Sequence, residues 1–390
     1  MATIFISTGE VSGDLQGALL VEALYRQGRQ QGLDLEILAL GGQRMADAGA
    51  TLLGQTTGIG SVGLFEALPF VLPTLKIQEQ VKRYLRQNPP DLIILIDYMG
   101  PNLSIGGYLR RHLPQVPIVY YIAPQLWVWS QNQRDTQKVA EITDLLLAIF
   151  PEEARYFGEH QVNVNWVGHP LIDRMQGFPS RSQARVKLGI PEDQKAIALM
   201  PASRRQELKY LMPVMFAAAQ QIQQKLPEVK FWIPLSLAEF REPIERAIAD
   251  FKLNATLVDD QVQEVLAGAD LAICKSGTVN LELALLDVPQ VVMYRLNALT
   301  AWIARYIVKL SLPYVSPANL VEMKPIVPEF LQEQATPEAL SESALELLLN
   351  PQIRQETLQG YSQMRQALGQ PGVCDRAATA ILEFWRSAQD

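Results

Sequence analysis

The chain has few of the residues that bind metals or form disulfides. Its 390 residues include two cysteines, Cys274 and Cys374, and three histidines, His112, His160 and His169. The histidines lack metal-ligand spacing, so no structural zinc is expected, and no cofactor is expected either. Cys274 closes an apolar, strand-like run, which argues against a disulfide framework and fits a reducing compartment. No apolar run reaches the ~18 residues that a membrane-spanning helix needs, so the protein is expected to be soluble or peripheral. The first residues read as a strand rather than a basic segment ahead of an apolar one, so no signal peptide is expected. The net charge of -7 argues against nucleic-acid binding.

A globular composition is present, with 48% hydrophobic and 19% charged residues. The length exceeds one ordinary core, so two domains are expected. The most informative stretch runs from Ile4 to Asp14. Ile4, Phe5 and Ile6 suit a buried parallel strand, Gly9 breaks it, and a helical apolar pattern follows from Leu15 to Leu24. Such a strand–turn–helix unit places its turn where ligands bind in open α/β sheets. Gly9 and Gly13 permit a tight turn and close backbone approach. A phosphate cradle would want bare N–H groups there, whereas Glu10 and Asp14 bring carboxylates, which suit sugar hydroxyls or a reacting proton. The alternative is that Ser12 or Asp14 caps the helix.

Strand-like runs alternate with helical ones along the whole chain. They fall near 3–7, 35–40, 92–97, 117–122 and 145–149, and again near 196–200, 230–234, 255–258, 270–274 and 290–294. Most are continuous apolar runs, as expected of parallel strands covered on both faces. The pattern predicts two doubly wound α/β domains, 1–170 and 171–354, with a ligand cleft between them. The amphipathic stretch 355–390 is expected to pack back on the first domain, by analogy with other two-lobed proteins.

Further candidates lie at strand ends. Asp97 closes the run Leu92–Ile96 and is a candidate general base with a raised pKa, or a cap for the helix after Pro101. Lys275-Ser276-Gly277-Thr278 follows a strand and opens a helix, offering free N–H groups to a phosphate, or a plain N-cap at Ser276. Arg204 follows the strand ending at Met200; its guanidinium suits a diphosphate, or is a solvated helix-start residue. Trp127 and Trp129 follow another strand and suit either sugar or acyl stacking or the core.

Together these residues resemble the lipid-A-disaccharide synthase family, two-domain glycosyltransferases of the GT-B type. The resemblance runs from Gly9-Glu10-Val11-Ser12-Gly13-Asp14 through Gly42-Gln43-Arg44-Met45, Ile96-Asp97-Tyr98, Trp127/Trp129 and Val167-Gly168-His169-Pro170. It continues through Ser203-Arg204, Ser276 to Glu282, Tyr294-Arg295 and Asn319-Leu320 to Val327-Pro328-Glu329. It implies transfer of 2,3-diacylglucosamine from UDP to 2,3-diacylglucosamine 1-phosphate, with inversion, giving a β-1,6 disaccharide. It further implies that Asp97 is the base for the acceptor hydroxyl and that Glu10 lies near the reacting sugars. Arg204, Ser276, Gly277, Thr278, Glu282, Asn319 and Glu329 fall on the UDP side. Ala202 stands where the family pattern has glycine.

Acylated substrates imply work at the cytoplasmic face of the inner membrane. Residues 59–75, with Leu64, Phe65, Leu68 and Leu72, are rich in apolar side chains, and Pro69 and Pro73 make one long helix awkward. A second stripe, Leu299 to Leu310 with Trp302, has the pattern of an interfacial helix, a core helix or a homodimer interface. Two other functions compete. A UDP-N-acetylglucosamine 2-epimerase-like enzyme would need no lipid, against which residues 59–75 speak. A non-catalytic nucleotide-sugar or lipid-binding protein would not need Glu10, Asp97 and Arg204 together.

Overall fold

The computed structural model describes residues 1–56, 64–129, 133–201, 205–295 and 313–389; of Glu10, 64–72, Trp129 and 205–206 it describes the backbone alone. The chain forms two compact units, Met1–Asp173 with Leu368–Asp390, and Arg174–Ala367.

The first unit is built on a seven-stranded parallel sheet. Its strands are β1 (Ala2–Ser7), β2 (Leu35–Gly41), β3 (Thr51–Gln55), β4 (Leu92–Ile96), β5 (Ile118–Tyr121), β6 (Leu145–Ala148) and β7 (Val164–Trp166), in the order β3-β2-β1-β4-β5-β6-β7. β4 is buried at every position because helices cover both faces. Helices Leu64–Gln87, Met99–His112 and Gln133–Ile142 close one face around Phe5, Ile93, Leu95, Ile105 and Tyr120. Helices Glu10–Gln30 and Val373–Ser387 pack together.

That last helix is fastened at its start. The Asp173 carboxylate accepts the backbone N–H groups of Gly372 (2.6 Å), Val373 (3.2 Å) and Cys374 (2.8 Å). It thereby satisfies donors that a helix N-terminus leaves open. The preceding helix, Pro351–Leu368, is tied instead to the second unit. Tyr361 is buried and donates to the Val288 carbonyl at 3.2 Å, and Arg354 donates to the Asp270 carbonyl at 2.9 Å. The stretch 355–390 therefore divides, and only its part from Leu368 onward belongs to the first unit.

The second unit has a six-stranded parallel sheet. Its strands are β8 (Ala196–Met200), β9 (Lys230–Pro234), β10 (Ala255–Val258), β11 (Leu271–Lys275), β12 (Gln290–Tyr294) and β13 (Glu329–Leu331), ordered β10-β9-β8-β11-β12-β13. Both sheets are thus doubly wound, with the strand order reversing beside β1 and beside β8. Three strands were not legible in the hydrophobic pattern: β3, β7 and β13. All are sheet edges with partly exposed residues and short or broken apolar runs. Residues 64–87 form one helix despite Pro69 and Pro73. The prolines are four residues apart, so the hydrogen bonds they remove lie on one helix face. Among the described residues no helix is long and apolar enough to cross a membrane.

Candidate functional site

In an open α/β sheet, ligands bind beyond the carboxyl ends of the strands where the strand order reverses. In the first unit that point lies between β1 and β4, which pair from Ile4↔Leu92 to Ser7↔Leu95. The turn from Gly9 leaves β1, and Asp97 leaves β4, so the two acidic candidates sit on the two strands that flank it. Glu10 is the first residue of helix Glu10–Gln30, and its side chain is outside the described residues.

Asp97 is exposed, not buried in its niche, and the fold fixes its backbone firmly. Asp97 and Tyr98 both take left-handed φ values, 46° and 50°. Such conformations are costly away from glycine and persist where surroundings hold them. Here the Asp97 carbonyl accepts from Asn102 Nδ2 at 2.8 Å and from the Tyr120 hydroxyl at 2.9 Å. Asn102 also reaches the Ile96 carbonyl at 2.9 Å and accepts from the Ser7 hydroxyl at 2.7 Å. This buried asparagine links the two strand ends and was not legible in the sequence. The N-cap of the following helix is Tyr98, not Asp97.

Asp14 turns out to be structural. It is buried and does not cap its own helix, whose N-cap is Gly9. Its carboxylate accepts from the backbone of Gly42 (2.8 Å), Arg44 (3.2 Å) and Met45 (3.2 Å), and so caps the short helix Gln43–Asp47.

One strand further on, β5 leads into Leu126–Trp129. Trp127 packs on Phe150 (ring centroids 5.6 Å apart), and Phe150 on His169 (5.3 Å). His169 is buried; its Nδ1 accepts from Leu171 N–H at 3.1 Å, and burial lowers its pKa to about 3. It is a neutral packing residue. Glu153 is also buried. It accepts backbone N–H groups from Ala123 (2.8 Å), Ile149 (2.8 Å) and Phe150 (3.3 Å), and burial pushes its pKa up to about 7.

In the second unit the order reverses between β8 and β11. Arg204 follows β8 and lies outside the described residues. Ser276, Gly277 and Thr278 follow β11. Two N–H groups expected to be free for phosphate are engaged: Ser276 donates to the Met293 carbonyl (3.2 Å) and Gly277 to Asn280 Oδ1 (2.8 Å). Thr278, not Ser276, is the N-cap of helix Val279–Leu285. Lys275 pairs with Glu207 at 2.9 Å.

The remaining candidates of this unit form an internal frame. Ser276 Oγ donates to the Val315 carbonyl at 2.7 Å. Glu329 accepts from Val315 N–H (2.8 Å), Ser316 N–H (2.7 Å) and Asn319 Nδ2 (2.7 Å), and burial raises its pKa. Asn319 is buried and exchanges bonds with the Val327 backbone in both directions. Ser276, Asn319 and Glu329 are thus brought together around 313–319. Glu282 stands apart, ion-paired with Arg174; burial raises its pKa and Arg174 opposes the shift. Leu64, Phe65, Leu68 and Leu72 lie in helix Leu64–Gln87 with their side chains outside the described residues, as does all of Trp302.

A model of the lipid-A-disaccharide synthetase family matches residues 4–384. The chain belongs to the lipid-A-disaccharide synthase family. A family relative from Gloeothece citriformis is 60% identical over 381 residues, covering 98% of this chain and 99% of the relative. Among solved structures, MurG from Acinetobacter baumannii aligns with a TM-score of 0.57 at 17% identity, over 98% of this chain and 99% of MurG. UDP-GlcNAc 2-epimerase from Neisseria meningitidis aligns with a TM-score of 0.61 at 12% identity, over 97% and 99%. These two likenesses concern the fold: two Rossmann-like domains, as in GT-B glycosyltransferases. The family match makes the chain a hexosyltransferase, and the epimerase likeness is structural only.

Proposed function

We propose that the protein transfers 2,3-diacylglucosamine from UDP to the 6-hydroxyl of 2,3-diacylglucosamine 1-phosphate. The products are a β-1,6-linked disaccharide and UDP, with inversion at C1. The observation that carries this reading is the family match over residues 4–384; Asp97, beside the reversal point of the first sheet, supports it.

In this reading the Asp97 carboxylate takes the proton from the acceptor hydroxyl. The freed oxygen pair forms the new bond to C1. The bond from C1 to the diphosphate oxygen breaks, and its electron pair leaves on UDP. The departing diphosphate gains charge, which a guanidinium at Arg204 is suited to stabilise. Ser276, Asn319 and Glu329 support it by framing the loop beside β11, and Glu282 by steadying the helix that follows. Glu10, beside Asp97's strand, serves the reacting sugars. Residues 64–72 and the stripe containing Trp302 contact the lipid surface on the cytoplasmic face of the inner membrane.

The test is incubation of the pure protein with UDP-2,3-diacylglucosamine and 2,3-diacylglucosamine 1-phosphate, following UDP release and disaccharide formation. Turnover of UDP-N-acetylglucosamine to its 2-epimer, without disaccharide, would overturn the proposal. Asp97→Asn keeps the shape but not the base, and should lower turnover by about 10²–10⁴-fold while UDP binding persists.

A further inference from the structure

Glu153 is a fully buried carboxylate to which the reaction above gives no task. Its helix, Pro151–Glu159, follows β6 and packs against β6, β7 and the short helix Leu126–Trp129 that follows β5. One oxygen, Oε2, is anchored on the β6 exit by the N–H groups of Ile149 and Phe150. The other, Oε1, reaches across to the β5 exit and accepts the Ala123 N–H at 2.8 Å.

The peptide group that supplies that N–H has a second duty. Its carbonyl belongs to Ile122 and accepts the N–H of Asp97 at 2.9 Å. A peptide group is a rigid plane, so its oxygen and its N–H cannot be reoriented separately. Ile122 has φ 60°. For a β-branched residue this is a strained, left-handed conformation that persists only when neighbours enforce it. Asp97 and Tyr98 are strained in the same sense. A run of three held conformations thus meets at one peptide, and Glu153 grips that peptide from behind.

We propose that Glu153 is a positioning residue that holds Asp97 in place through the Ile122–Ala123 peptide. The proposal rests on the reading of Asp97 as the base. A buried carboxylate is tolerable only when well hydrogen-bonded. Three backbone donors meet that need, and they require acceptors at both ends of the side chain. Glutamine supplies one acceptor and turns a donor toward the other N–H group. Burial is the main cause of the raised Glu153 pKa, and the charge of Asp97 adds to it.

The experiment is a double-mutant cycle on the full chain with Asp97→Asn, Glu153→Gln and the pair, measuring kcat, UDP affinity and thermal unfolding. A displaced base costs about 10²-fold in rate. Glu153→Gln is therefore expected to lower kcat by about 10²-fold with UDP affinity unchanged, and to cost little further in the Asp97→Asn background. Glu153→Asp keeps the charge but spans less, and should fall between. If Glu153→Gln does not fold, Glu153→Asp takes its place in the cycle, with a smaller loss of kcat expected and again little further loss in the Asp97→Asn background. Unchanged kcat in the single variant, or an equal loss in both backgrounds, would overturn the proposal. Near-normal turnover in Asp97→Asn alone would instead remove the base reading itself.

Discussion

A Cβ placed on Gly9 would come within 2.4 Å of the ring of Tyr98. Gly9 has an extended backbone, φ -138°, so it is glycine for space and not for conformation. Its contact joins the turn after β1 to the turn after β4, where Tyr98 follows Asp97. The close approach inferred from the glycines of this turn is made by the protein itself. Gly13 repeats the theme, since a Cβ there would lie 2.1 Å from Thr8 Oγ1.

Gly9→Ala should therefore displace the Tyr98 ring, and with it the neighbouring Asp97. Overpacking of this kind costs about 1–3 kcal/mol, while a misplacement near 1 Å costs about 10²-fold in rate. We expect turnover to fall by about 10²-fold in protein that is still folded. Denaturant midpoints measured beside kcat would separate the two, and a variant with full turnover would show that the contact does not matter to the site.

Asp14→Ala should do the opposite. Its carboxylate serves three backbone N–H groups of the Gln43–Asp47 cap. Leaving buried donors unsatisfied costs about 1–3 kcal/mol. Stability should drop by that order, with kcat per folded molecule retained below the new midpoint. Loss of turnover in a fully folded Asp14→Ala protein would return Asp14 to the chemistry.

Glu153 predicts a pH signature. Its folded pKa is pushed up to about 7 from an ordinary 4.5, by burial first. Between those values the folded state holds a proton that the unfolded chain has released, so stability falls as pH rises through that window. A shift of this size corresponds to about 3 kcal/mol. Glu153→Gln should flatten the decline between pH 5 and pH 8 in chemical denaturation. Parallel declines in variant and wild type would place the titration elsewhere.

The sequence made the doubly wound sheets legible because strands buried on both faces write continuous apolar runs, as Leu92–Ile96 does. Edge strands β3, β7 and β13 write no such run. Strand-end positions such as Asp97 were legible too, because a lone acid after such a run has few other places to be. The partners were not. Asn102 and Glu153 are ordinary residues of amphipathic helices until the fold brings carbonyls and N–H groups to them. Likewise Ser276 and Gly277 suggested free donors, but whether an N–H is free depends on Met293 and Asn280. Pro69 and Pro73 do not interrupt helix 64–87, since the hydrogen bonds they remove fall four residues apart on one helix face.

The last prediction concerns how acylated sugars reach the site. Helix Leu64–Gln87 begins with Leu64, Phe65, Leu68 and Leu72, which recur at the spacing of one helical face. Its later part is held in the first unit: Val81 and Leu85 are buried, and Gln78 Nε2 donates at 3.0 Å to the carbonyl of Pro101, four residues after Asp97. The helix is thus anchored by its carboxyl-terminal half beside the Asp97 turn. With a net charge of -7, attraction to an anionic lipid surface cannot come from the overall field, so apolar burial must supply it. Each large side chain buried in lipid contributes roughly 1.5–3 kcal/mol, so four suffice for reversible binding. Replacing Leu64, Phe65, Leu68 and Leu72 by serine should leave a folded protein that binds UDP but no longer sediments with liposomes of anionic and zwitterionic phospholipid. Turnover of a short-chain, water-soluble acceptor should survive while that of the long-chain acceptor falls. If the quadruple variant unfolds, these residues are core and the membrane role fails. If it folds and still sediments, the attachment lies elsewhere in the chain.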